Sequence, residues 1–311
     1  MGEPVENTVV YDLSVSPITF DFAHFLALAR IVLRKLTGGE KFNIVIQHDQ
    51  WRHRSRRDKA YSIEEKEWRI YNLLVQICMV TPQVMDVTVT RNPSVRHAER
   101  SGVWFHSDQR NYLIRSLVEI TKLYGLDVHL FEAPAVAQAK AQKLLEGINN
   151  PAVFPLRLSN FDSDRNTETE LMISVARDLE ASGYTPIFIP DQENMDAFSE
   201  KGMPGKFIRE AAYNLPLRLA LHEIATVSIC SSSGPTALLA LARKKPRLVI
   251  VRPIVESSVD STEEKFRAQG FDVGSKHPLP WTPENQIYLW DDTGLQDKVL
   301  GVVEELCRSA R

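Results

Sequence analysis

Apolar runs of four to seven residues recur along this chain, separated by longer stretches whose apolar positions return every three or four residues. Short continuous runs suit strands buried on both faces, and the three-to-four spacing suits helices that cover them. In the first half the pattern predicts strands near Val9–Leu13, Asn43–Gln47, Asp86–Thr90 and Asp127–Phe131. Helices are expected over Phe22–Leu36, Glu64–Met79, Gln109–Tyr124 and Val136–Glu146. The alternation pauses at Gly147-Ile148-Asn149-Asn150-Pro151, a cluster of turn formers suited to a linker. It then restarts, with strands near Val153–Leu158, Thr185–Ile189, Thr226–Cys230, Arg247–Val251 and Gln286–Leu289. Helices are expected there over Glu168–Ala181, Leu217–Ile224, Thr236–Lys244, Glu263–Gln269 and Leu295–Arg308.

The class this implies is α/β, with two Rossmann-like open-sheet domains, residues 1–148 and 149–311. A length of 311 residues agrees with two domains. Two such units are expected to face each other across a central cleft, and open α/β sheets bind ligands beyond the carboxyl ends of their strands.

Composition narrows the classes of partner. With 37 Lys and Arg against 40 Asp and Glu, the formal net charge of −3 gives no reason to expect nucleic acid. The one basic run, Arg52, His53, Arg54, Arg56, Arg57 and Lys59, reads as a solvated loop or as a peripheral membrane contact. Cys78, Cys230 and Cys307 are far apart in apolar contexts and suggest neither a disulfide framework nor a zinc site. No apolar run approaches the roughly 18 residues needed to cross a bilayer, so a cytoplasmic location is expected.

The most informative string is Ser231-Ser232-Ser233-Gly234-Pro235-Thr236, between two apolar runs. It reads as a strand end, a polar turn and a helix start, where backbone N–H groups and hydroxyls converge on a phosphate. Gly234 permits close approach of the backbone, Pro235 suits the first helical turn, and Ser232, Ser233 and Thr236 bring hydroxyls. A plain capped turn is the alternative reading. Upstream, Arg157 ends a strand and Arg165 sits in the next polar loop, and paired guanidinium forks suit a diphosphate. Asp191 ends the Thr185–Ile189 run as a ribose acceptor or as a turn residue. Arg218 either turns toward the cleft or, as the expected case, faces solvent, and the adjacent His222 and Glu223 point in different directions and do not form an acid–base dyad.

The string from Leu221 to Val251, LHEIATVSICSSSGPTALLALARKKPRLVIV, resembles the donor-binding half of GT-B glycosyltransferases, heptosyltransferase-like enzymes in particular. The upstream LRLSNFDSDRNTE and GYTPIFIPD resemble the first two strand-helix units of such a domain, with a distant fucosyltransferase-like echo. The chain differs from that family in carrying Ser231–Ser233 before the Gly-Pro pair and Ala237, Leu238 after it, where an acid and a histidine are usual. The resemblance implies a hexosyl- or heptosyl-type transferase that moves a sugar from a nucleotide-diphosphate donor to a glycan or glycolipid hydroxyl. Arg157, Arg165, Asp191 and Ser232 to Thr236 would hold the donor, and no cofactor or metal is expected, although Asp162-Ser163-Asp164 has metal-binding spacing. Asp21, read as the N-cap of the first helix, and Asp49, after the second strand, are the candidate catalytic bases. A nucleotide-sugar epimerase or a non-catalytic binding protein of the same fold are the rival readings.

Overall fold

The computed structural model describes residues 7–48, 61–91, 102–158, 166–192, 195, 202–258, 260–290 and 294–308. The chain divides into two compact units, Met1–Phe131 and Glu132–Arg311.

In the first unit the order is β1 (Thr8–Asp12), α1 (Asp21–Thr37), β2 (Phe42–Gln47) and α2 (Ile63–Arg69). A π-helical turn over Ile70–Leu74 then leads without a break into α3 (Val75–Met79), followed by β3 (Val84–Thr90), β4 (Trp104–His106) and α4 (Ile114–Tyr124). The four strands form one parallel sheet in the order β3-β2-β1-β4. The chain therefore reverses direction across the sheet between β1 and β4, which leaves a crevice at their carboxyl ends. Helix α1 is apolar on more than one side because it lies between the sheet and α4, and Phe22 through Ile31 are all buried. The Tyr11, Phe22, Phe25 and Phe105 rings contact one another at 4.6 to 5.5 Å between centroids. Each such contact contributes about 0.5–1.5 kcal/mol beyond area burial. Gly38 ends α1 in the left-handed conformation, φ 73°, and its N–H closes on the Arg34 carbonyl.

Two expectations are corrected here. The three-residue β4 was not foreseen, since its Trp-Phe-His sequence makes no apolar run. The stretch Asp127–Phe131 forms no strand beyond a single bridge at Phe131. Its carbonyls at Asp127 and His129 instead accept from the buried Arg30 guanidinium of α1, the latter at 3.0 Å. The His129 ring bonds the Asp127 carboxylate, which holds that carboxyl down at about 2.

The second unit runs α5 (Ala135–Leu144), β5 (Pro151–Pro155), α6 (Thr169–Ala181), β6 (Thr185–Ile189), β7 (Lys206–Phe207), α7 (Glu210–Tyr213) and α8 (Leu215–Ile224). It continues through β8 (Val227–Ser231), α9 (Gly234–Ala240), β9 (Leu248–Val251), α10 (Glu263–Ala268), β10 (Gln286–Leu289) and α11 (Leu295–Arg308). Six parallel strands lie in the order β10-β9-β8-β5-β6-β7. This is the doubly wound dinucleotide-binding order, three strands running outward on each side of the β5/β8 junction. One face carries Phe154, Phe188, Ile229, Val249 and Ile287 against α6 and α11. Phe154, Phe188 and Phe207 stack across β5, β6 and β7 at 5.2 and 5.3 Å. The units divide upstream of the turn cluster at 147–151 because α5 packs along α8. The two-residue edge strand β7 was also unforeseen. Gly205, φ +74°, precedes it so tightly that an added Cβ would lie 2.0 Å from the Pro186 carbonyl oxygen. Among the described residues no helix is long and apolar enough to cross a membrane.

Helix α8 shows how this unit hides polar groups. His222 is 1% exposed and its Nδ1 pairs with Ser228 Oγ at 2.8 Å. Burial, then the Arg218 charge, pushes the imidazole down to about 3. Below the ordinary histidine value of about 6.5 the unfolded chain takes up a proton that the folded chain refuses, so stability falls as pH drops, by up to about 1.4 kcal/mol per pH unit. Urea unfolding at pH 7, 6 and 5 is expected to show this slope, and His222→Asn is expected to flatten it; equal slopes for the two proteins would contradict the assignment. Gly205→Ala is expected to cost more than about 1 kcal/mol, since both its φ and its space are unsuited to a side chain. A melting temperature equal to that of the unchanged protein would rule this out.

Candidate donor site

The reversal between β5 and β8 sets the SSSGPT turn beside the loop that carries Arg157. Strand β8 enters the turn at Ser231, paired in register with Val251 of β9, and Ser232 N–H donates to the Val251 carbonyl at 3.0 Å. Ser233 is the N-cap of α9 in extended backbone, and no side chain caps that helix start. Ser232, Ser233, Gly234 and Pro235 are partly exposed. Thr236 is buried, and its hydroxyl proton goes to the Ser231 carbonyl at 2.8 Å, with Ser233 Oγ at 3.0 Å. Its hydroxyl thus closes the turn from within, and the outward-facing groups are those of residues 232–235.

Arg157 follows β5 directly. Its Nη1 donates to Asn166 Oδ1 at 2.6 Å, while its backbone N–H donates to Thr167 Oγ1 at 2.8 Å and its carbonyl accepts from Thr167 N–H at 2.8 Å. Thr167 Oγ1 also lies 3.1 Å from Ser231 Oγ. One buried threonine therefore pins the Arg157 loop to the end of β8. The N-cap position of α6 belongs to Glu168, without a side-chain bond, because Asn166 and Thr167 are turned back on Arg157. Asp191 Oδ2 accepts from Leu158 N–H at 2.9 Å, so this carboxylate ties the end of β6 to the same loop. Arg165 and the Asp162-Ser163-Asp164 string lie outside the described residues.

Three polar residues on α8 behave differently from what their sequence suggested. Arg218 is not at the solvent face; it is 8% exposed, and burial lowers its proton affinity. Glu223, with a side chain 1% exposed, accepts from Ala133 N–H at 3.0 Å and from Lys244 Nζ at 3.1 Å. Burial raises its pKa in spite of Lys244. Glu223 is thus a tie between the entry to α5 and the corner before β9, and His222 is held on Ser228. Both side chains are therefore committed to contacts within the second unit. Among the described residues no group of three or more His, Cys, Asp or Glu side chains could hold a metal ion.

In the first unit the loop after β1 leads to Asp21. Tyr11 Oη donates to the Pro17 carbonyl at 2.7 Å and Asp12 Oδ1 accepts from Ser14 N–H at 2.7 Å, which fixes the loop, while Ser107 Oγ after β4 accepts from Asp12 N–H at 2.8 Å. Asp21 is the first residue of α1 rather than its N-cap. The cap position is Phe20, and it is Thr19 that accepts from Asp21 N–H, at 3.3 Å, and donates to Asp21 Oδ2, at 2.7 Å. Asp21 Oδ1 lies 3.9 Å from His24 Nδ1 one turn on, with the carboxylate about one-third exposed at 35%. His24 was not singled out from the sequence; its i+3 spacing from Asp21 was the available signal. Asp49 and the basic run 52–59 lie outside the described residues.

Among solved structures, the glycosyl transferase family 9 protein from Veillonella parvula aligns over 98% of this chain and 97% of its own, with a TM-score of 0.56 at 11% identity. The E. coli ADP-heptose lps heptosyltransferase II aligns over 96% of this chain and 99% of its own, with a TM-score of 0.53 at 9% identity. The fold is the GT-B-like fold of these enzymes. The NodZ α-1,6-fucosyltransferase also aligns, more weakly, over 78% of this chain with a TM-score of 0.36. The sequence matches no protein-family model and no curated protein sequence.

Thr167→Val removes the hydroxyl shared by Arg157 and Ser231 and leaves both buried groups short of a partner, at a cost of about 1–3 kcal/mol. Chemical denaturation is expected to show this loss, with Thr167→Ser recovering most of it. Indistinguishable midpoints for the valine variant and the unchanged protein would show that the loop is not pinned in this way.

Proposed function

We propose that the protein is a glycosyltransferase that moves a sugar from a nucleotide-diphosphate sugar, held by the second unit, to a hydroxyl of a glycan or glycolipid acceptor held by the first. The carrying observation is the β5/β8 switch point, where the turn at 232–235 and the loop of Arg157 share one sheet end in a fold of the GT-B type. A solved neighbour of this fold is named an ADP-heptose heptosyltransferase, which supports a nucleotide-sugar partner.

In this reading the acceptor oxygen attacks the anomeric carbon as its bond to the diphosphate breaks, and the acceptor proton passes to a base. Asp21 serves as that base, with Thr19 and His24 orienting its carboxylate; Asp49 is the second candidate. Negative charge on the departing diphosphate increases as the bond breaks, and donors already in place stabilise it more than they stabilise the less charged diphosphate of the intact substrate. Those donors are the backbone N–H groups at the start of α9 and the Arg157 guanidinium, joined by Arg165, so no metal is required. Asp191 orders the loop between them. The transfer serves polysaccharide or glycoconjugate assembly on the cytoplasmic side, with the basic run 52–59 as a peripheral membrane contact.

A thermal-shift series with the diphosphates of uridine, guanosine, adenosine and cytidine, with and without magnesium, is the direct test. Ligand at 100 times its dissociation constant adds about 2.7 kcal/mol, and at about 2–4 °C per kcal/mol for a unit of this size the melting point rises by several degrees. One nucleotide is expected to do this equally well in both conditions. Asp21→Asn is expected to cut turnover by about 10²-fold or more while leaving that shift intact. A protein that no diphosphate stabilises, or turnover that survives both Asp21→Asn and Asp49→Asn, would refute the proposal.

A further inference from the structure

We propose that Arg218 is an anion anchor of the second unit, its guanidinium receiving a phosphate oxygen of the ligand bound at the β5/β8 switch point. The assignment rests on the donor-site reading above and adds to it a residue that local sequence pattern places on a solvent face.

Among the described residues two arginines are deeply buried, Arg30 and Arg218, and they differ in how their hydrogen-bonding capacity is used. Arg30 in the first unit directs its two terminal nitrogens at the Asp127 and His129 carbonyls, a structural use. Arg218 is 8% exposed, has no carboxylate among the described residues within ion-pair distance, and its buried Nε has no hydrogen-bond partner. A buried guanidinium left without such partners is expensive, because the water it lost is not replaced. An anionic ligand supplies what is missing.

Its place in the fold points the same way. Helix α8 is the crossover that feeds β8, so it runs opposite to the strands and its first turns lie at their carboxyl ends. Arg218 is the fourth residue of α8, and His222, one turn further on, reaches Ser228 near the start of β8 at 2.8 Å. Arg218 is therefore level with the end of β8. Val227 and Ile229 face α6 and α11, which puts Ser228 and Cys230 on the α8 side of the strand. The acidic groups that act on Arg218 are Asp191, at the end of β6, and Cys230, one residue before the turn. Asp191 is engaged by Leu158 N–H at 2.9 Å, and burial pushes the Cys230 thiol up to about 12, so it is uncharged. Lys244 and Glu223, the other ion pair on this helix, satisfy each other. Arg218 is thus a buried positive group set below the strand ends that carry Arg157 and Ser232.

Titration calorimetry on the full chain tests this with inorganic pyrophosphate, the four nucleoside diphosphates and the four free nucleosides, for the unchanged protein, Arg218→Met and Arg218→Lys. The expected result is a loss of tenfold or more in diphosphate and pyrophosphate affinity for Arg218→Met, with a smaller loss for Arg218→Lys. Nucleoside affinity is expected to stay the same, and ligand-free Arg218→Met is expected to melt no lower than the unchanged protein, since the isolated charge has gone. Unchanged diphosphate affinity in either variant that folds, or a parallel fall in nucleoside and diphosphate affinity with a lowered ligand-free melting point, would overturn the anchor. Pyrophosphate binding that depends on Arg218 in a protein that takes no nucleoside diphosphate would support the anchor and overturn the donor reading. An unchanged protein that binds neither would overturn both.

Discussion

The second unit is organised by the reversal of strand order between β5 and β8, and the shared hydroxyl of Thr167 closes that reversal. Parallel strands connected by right-handed crossovers send helices to opposite faces on the two sides of such a junction, which is where an open sheet forms its crevice. The exposed backbone there would splay without a tie. Thr167 supplies one by accepting from the Arg157 backbone while sharing a proton with Ser231, and Asp191 adds a second from β6. Donors on two strand ends are thereby held before any ligand arrives, which is the condition for charge stabilisation without reorganisation.

Burial on the α8 side of the sheet has a different character from burial on the α6 and α11 side. The latter is a conventional core of phenylalanine, valine, isoleucine and leucine. The former encloses Arg218, His222 and Glu223, three residues that sequence composition alone assigns to water. Each is resolved by a different device. Glu223 takes a backbone N–H and a lysine, His222 gives up its charge and leans on Ser228, and Arg218 keeps a charge that no described carboxylate meets. Glu223 meets the entry to α5, which lies along α8, whereas His222 and Arg218 face the sheet.

Sequence pattern revealed the elements whose apolar runs are long enough to have a period. All of the four- to seven-residue strands of the parallel sheets could be read this way, and the one run that reads as a strand without forming one is Asp127–Phe131, where Arg30 takes the carbonyls that a ladder would use. Strands β4 and β7 escaped because two or three residues carry no periodicity and owe their form to the neighbour they pair with. The same limit applies to the site. Gly234-Pro235 was legible, since a strand followed by a polar turn and a helix is a local event. Thr236, an expected outward donor, is spent on the turn itself. Thr167 and Arg218 matter through contacts made 64 residues away, in the case of Thr167, or through what covers them, in the case of Arg218. Neither relation leaves a mark on the local string.

Hydrogen exchange along the backbone, with and without the nucleoside diphosphate that stabilises the protein, is the most direct measure of whether this sheet end grips a phosphate. The account predicts that ligand slows exchange at Ser232, Ser233, Gly234 and Ala237 and in the segment Arg157–Leu158, with the remote β10 and α11 unchanged. Slowing confined to other parts of the chain, with these amides exchanging as before, would contradict it.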